Sequence, residues 1–163
     1  MNLVTLAAGV LALLGSALIG GVFFAFSSFI MKALARVPSS EGIAVMQSIN
    51  VVVINPSFIG VFMGTALLSI AVIVLVLMNG IQPATIFFIG GAVFYFVGTF
   101  LVTMFGNVPL NDQLAAVSAT DPDAVELWTH YLERWTMWNH VRTAAAMVAA
   151  LFYTLGLMQN AAA

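Results

Sequence analysis

Between Trp135 and Thr143 the chain sets two indoles, an amide, an imidazole and a guanidinium at the opening of its last apolar run. An arginine at the mouth of a hydrophobic helix is costly unless it meets a partner, a cavity or lipid headgroups. On a straight helix, advancing about 100° per residue, Trp128, Tyr131, Trp135, Trp138, Asn139 and Arg142 share one face. Such a face suits a flat, partly oxygenated ring system: the aromatic rings supply apolar area, and the polar heads fix carbonyl or hydroxyl groups. An interfacial aromatic belt with a snorkelling arginine uses the same residue types, and this helix alone weighs the two readings evenly.

The opposite face carries Glu126, His130, Glu133, Met137 and His140. Glu126 and His130 are four apart and His130 and Glu133 three apart, spacings that let one helix share ligation of a metal. His140, however, lies roughly 15 Å along the axis from His130. The sequence has no Glu-x-x-His motif and no cysteine, so a solvated or salt-bridged face is the better reading, and no metal is expected. Neither a phosphate-cradling glycine loop nor a Ser-His-Asp pattern stands out.

The elements that position these residues are written in the composition. The 163 residues are 63% hydrophobic and 6% charged, against about a quarter charged in a soluble domain. The chain reads as one all-α domain over 1–163, an integral membrane four-helix bundle with crossings near 3–31, 57–78, 84–105 and 139–158. The net charge of −2 gives no case for nucleic acid. The run from Leu3 to Met31 has no leading Lys or Arg and is far longer than the apolar part of a signal peptide, so it reads as a retained helix. Gly9, Ser16 and Gly20, and again Gly91 and Gly98, form stripes for close helix packing.

Ser39 to Asn55 reads as an amphipathic helix carrying Gln47 and Asn50 on one face, and Asn55-Pro56 predicts a break before the second crossing. Tyr95, Thr99 and Thr103 form a polar seam on the third crossing, whose bland reading is interhelical hydrogen bonding. Gly106 and Pro109 are expected to stop that helix. Asp121 is expected to cap the next one, with Pro122 at its first position, and that helix to run on through Trp135. Two connections, Lys32–Asn55 and Asn107–Trp138, then form an amphipathic helical cover on one side. All four Lys and Arg lie on that side or at its border, which predicts a cytoplasmic cover, with a bacterial inner membrane as the expected setting. Gln47, Asn50, Asn55, Asn107, Asn111, Asn139 and Arg142 gather at this one exit. Buried amides need partners in hydrocarbon, so Asn107, Asn111, Asn139 and Arg142 are expected to converge on a shared cavity.

Asn107-Val-Pro-Leu-Asn111 followed by Trp135-x-x-x-Asn139-x-x-Arg142-Thr143, with Gln47-x-x-Asn50 and Asn55-Pro56 upstream, resembles the anthrone oxygenase-like family of small four-helix membrane proteins. The likeness extends over nearly the whole chain. It implies oxygenation of a lipophilic anthrone-type substrate of a polyketide pathway to a quinone, with neither metal nor flavin as cofactor. That chemistry needs loss of a carbon-bound proton and a stabilised enolate. By position, Asn107, Asn111, Asn139 and Arg142 are candidates to hold the oxyanion, Trp135 and Trp138 to wall the ring, Gln47 and Asn50 to bind substrate, and His140 to act as base. The helical geometry turns His140 away from its neighbours, unless the helix bends. A non-catalytic binder or carrier of small hydrophobic molecules and a structural membrane subunit remain the alternatives, and the oligomeric state is open.

Overall fold

The computed structural model describes residues 1–162, and among these all regular structure is helical. Five helices form: α1 Leu3–Leu34, α2 Ser39–Val52, α3 Pro56–Met78, α4 Thr85–Ala115 and α5 Ala124–Ala161. All but α2 are long and apolar enough to cross a membrane. Leu11, Leu18, Leu67, Val74, Ile86 and Leu151 stand exposed around the bundle, the pattern expected where lipid rather than water is the solvent.

The crossings pack through their small residues. A Cβ on Gly98 would stand 2.6 Å from the Cβ of Ala145, so the α4–α5 seam closes backbone to backbone there. Ile19, Phe23, Phe62, Phe88, Tyr95 and Tyr153 fill the interior. At one end α2 lies across the first turns of α5. Ile43 and Met46 bury there with Leu114, Trp128, Tyr131 and Trp135 in a second apolar cluster, which is the expected cover. The break before α3 follows from Asn55-Pro56: Asn55 adopts an extended conformation and its side chain accepts the Phe58 N–H at 3.0 Å, while Pro56 opens the helix without needing a donor.

Two local expectations are overturned. Gly106 and Pro109 do not stop α4, which runs on to Ala115. Proline normally breaks a helix because it lacks an N–H and its ring strikes the carbonyl four residues back. Here the backbone widens into π-helical turns over Phe94–Leu101 and Thr103–Asn107, and the Val108 N–H bonds to Thr103, five residues back. That change of register immediately before Pro109 lets the helix pass through it. Nor does Asp121 cap α5, which begins at Ala124. The Asp121 carboxylate accepts the Asp123 N–H at 3.0 Å, closing a local turn that delays the helix. From Ala124 on, α5 continues without interruption for 38 residues.

Candidate functional site

Arg142 lies inside the bundle, 5% exposed. Its Nε donates to Asn139 Oδ1 at 2.9 Å and its Nη1 to Thr103 Oγ1 at 3.3 Å. The guanidinium stacks 3.8 Å from the Phe23 ring centre and 4.8 Å from that of Trp135. Every one of these partners is neutral. Cation–π contacts and two neutral acceptors recover part of the cost of burying a charge, but they do not cancel the charge.

Local backbone geometry builds this arrangement. Helix α1 widens into a π turn over Phe26–Ile30, just after Phe23. The Phe23 carbonyl accepts from Asn139 Nδ2 at 2.8 Å, and Ser27 Oγ, inside the π turn, accepts from the same nitrogen at 2.7 Å. With both amide hydrogens committed to α1, Asn139 must aim its oxygen at Arg142. On α4, Thr103 donates to the Thr99 carbonyl at 2.8 Å and Thr99 to the Arg142 carbonyl at 3.2 Å. Thr99, Thr103 and Asn107 all lie in π-helical stretches of α4. Single π turns are often found where a helix serves a functional site. Beyond Phe23 the floor is aromatic: Phe23 meets Phe58 and Phe62 edge to face, and Phe62 meets Phe100 at 5.6 Å.

Trp135 is the hub around which the predicted site residues gather. Asn107 Nδ2 donates to its carbonyl at 3.1 Å. Asn111 Oδ1 accepts from its indole N–H and from the Tyr131 hydroxyl, each at 2.8 Å. Asn50 Nδ2 reaches the same Tyr131 hydroxyl at 3.5 Å. The Asn107 side chain is fully buried, and its Oδ1 has no hydrogen-bond partner. Four amides and the guanidinium are therefore linked through Trp135 and Tyr131, with Arg142 on the ring of Trp135 and Asn111 at its nitrogen.

The other candidates fall outside this group. Gln47 donates to the carbonyls of Leu114 and Val117 at 2.8 and 3.0 Å, tying α2 to the end of α4. Trp138 packs half-buried against Gly106, where an added Cβ would stand 2.9 Å from the indole. His140 is exposed, on the face the helical periodicity gave it, and α5 does not bend to bring it round; its Nδ1 lies 2.9 Å from Ser27 Oγ. Glu126, His130 and Glu133 are exposed too, and among the described residues no three His, Cys, Asp or Glu stand together as a metal-binding group.

Sequence reasoning missed Phe23 and Ser27 on α1 and left Thr103 as a packing residue. A signal for Ser27 was present: Ser27-Ser28 is a hydroxyl pair in the last turns of an otherwise apolar run, at the same membrane exit as Asn139 and Arg142.

A family model described as anthrone oxygenase matches residues 57–152. The matched span holds Phe58, Phe62, Thr103, Asn107, Asn111, Trp135, Asn139 and Arg142, and it leaves out the α1 residues that complete their surroundings. Neither a curated protein nor a solved structure matches the chain.

Proposed function

The chain belongs to the anthrone oxygenase family, and on that premise we propose that it oxygenates a flat, lipophilic aromatic ketone of the anthrone type at the Arg142 site. The reaction consumes the ketone and dioxygen and yields the quinone and water. Removal of a proton from the ring carbon opposite the carbonyl gives an enolate, which is electron-rich enough to react with oxygen without a metal or flavin. The task left to the protein is to make that enolate at neutral pH and to hold it away from water.

The observation that carries this reading is a buried guanidinium whose partners are all neutral, stacked between Phe23 and Trp135. A fixed positive charge in an apolar setting stabilises an oxygen that becomes negative far more than one that is neutral, which favours the enolate over the ketone. The guanidinium has donors to spare beyond Asn139 and Thr103. Phe23, Phe58, Phe62 and Trp135 make the surroundings of the guanidinium aromatic, a setting that suits a fused ring. The unpartnered Oδ1 of Asn107 suits a hydroxyl on the substrate. The basic residues Lys32 and Arg36 at the cover end favour a cytoplasmic orientation of that end.

The test is oxygen uptake and quinone absorbance with purified protein in detergent and anthrone as probe. Wild type should turn over, and Arg142→Lys should lose about 10²-fold in kcat/KM while melting normally, because an ammonium does not reproduce the planar fork. Binding of anthrone without oxygen uptake would make the protein a carrier. Full activity in Arg142→Lys would remove the guanidinium from the mechanism.

A further inference from the structure

Ser27 joins the exposed His140 to the buried Arg142. Asn139 Nδ2 donates to Ser27 Oγ at 2.7 Å, and Asn139 Oδ1 accepts from Arg142 Nε at 2.9 Å. On its other side Ser27 Oγ lies 2.9 Å from His140 Nδ1 and 3.2 Å from Thr143 Oγ1. A serine hydroxyl has one hydrogen and two lone pairs. One lone pair is taken by Asn139. The Thr143 hydrogen is committed to the Asn139 carbonyl at 2.6 Å, so in the Ser27–Thr143 contact the donor must be Ser27. The single hydrogen of Ser27 therefore has two destinations, His140 Nδ1 and Thr143 Oγ1.

We infer that Ser27 and His140 are the proton relay of the site: Ser27 takes the carbon-bound proton of the substrate while passing its own hydrogen to His140. This rests on the enolate chemistry proposed above. The substrate C–H bond breaks and its electron pair stays in the ring system, as an enolate facing Arg142. The proton binds Ser27 Oγ as the former hydroxyl hydrogen moves to His140 Nδ1. A serine hydroxyl alone is far too weak a base; coupled to an imidazole, it acts with the basicity of the imidazole. After transfer, the new Nδ1–H donates to Ser27 and the Ser27 hydrogen turns to Thr143, so the hydroxyl is satisfied in both states. The exposed imidazole then sheds its extra proton at the bundle surface. His140 thereby serves the site from outside it, a positioning residue acting through Ser27, which resolves its place on the wrong face of α5.

Deuterium exchange into the acidic CH₂ of anthrone, measured anaerobically in heavy water, isolates this step from oxygen chemistry. Ser27→Ala and His140→Ala should each slow exchange about 100-fold with little change in apparent affinity. The double variant should be no slower than either single one. Ser27→Thr, which keeps the hydroxyl, should retain most of the rate and shows that the loss in Ser27→Ala is not one of folding. Imidazole added to the buffer should restore His140→Ala, whose hydroxyl is intact, and not Ser27→Ala. Undiminished exchange in Ser27→Ala, or losses that multiply in the double variant, overturn the relay and leave the Arg142 enolate reading standing. Absence of exchange in the wild type overturns both.

Discussion

The hydroxyl layer of the bundle and the Arg142 layer both bury polar side chains among apolar helices, yet only the first is closed. In the hydroxyl layer Tyr153 donates to Ser69 at 3.1 Å, Ser69 to the Thr65 carbonyl at 2.8 Å, and Tyr95 to the Phe62 carbonyl at 3.1 Å. Each of these three hydroxyl hydrogens has an acceptor, and none of the three groups is charged. The Arg142 layer holds a cation with neutral partners, and the Asn107 carbonyl oxygen beside it has none. Ser16 Oγ is also buried without a partner, so an orphaned atom alone does not mark a site. What sets Asn107 apart is its link, through Trp135, to an unneutralised charge. Buried polarity as such fixes helix packing; donors and charge left over after packing are what a ligand can use.

The sharpest test of that contrast is Arg142→Met. Turnover should fall about 10²–10³-fold, the usual loss when an oxyanion donor is removed. The melting temperature in detergent should hold or rise, because a buried charge replaced by an apolar chain of similar volume often stabilises a fold. A steep drop in melting temperature would make the Arg142 layer structural, like its counterpart. Closing the open layer is the next test. Thr103→Asp puts a carboxylate where Nη1 now meets a hydroxyl, and turnover should fall about 10²-fold with folding kept, because the charge then has a resident partner. The smallest effect belongs to the hydroxyl layer: Tyr153→Phe should cost about 0.6 kcal/mol of stability, a typical interhelical hydrogen bond in a membrane, and leave turnover unchanged. Altered kinetics in that variant would blur the distinction between the layers.

Much of this was legible in the residues. Four apolar runs, the break at Asn55-Pro56 and the aromatic-amide-guanidinium face of α5 follow from hydropathy, proline chemistry and helical period. The same periodicity kept His140 off the face of Arg142. What it could not give was the neighbour on that other side, because one helix's period says nothing about which helix packs against it; Ser27 was therefore invisible as a partner. The π turns were illegible for a different reason. They shift the hydrogen-bond register by one residue without changing composition, so Gly106 and Pro109 read as a stop when the backbone had already made room for the proline. The delayed start of α5 has a similar origin, since Asp121 can cap a helix or close a local turn and only the fold decides between them.

The unbroken course of α5 has a mechanical meaning. At 38 residues it is a stiff rod of roughly 57 Å, and about 27 Å of it separates Arg142 from the tip at Ala124. A rod without a hinge works as a lever. A tilt of about 3° around Arg142 swings that tip by roughly 1.4 Å over the same length. Trp128, which Gly42 of α2 touches so closely that a Cβ there would stand 2.8 Å from the indole, rides near the moving end. Any tilt of α5 about Arg142 would therefore be carried out to α2, which packs against this far end of the rod.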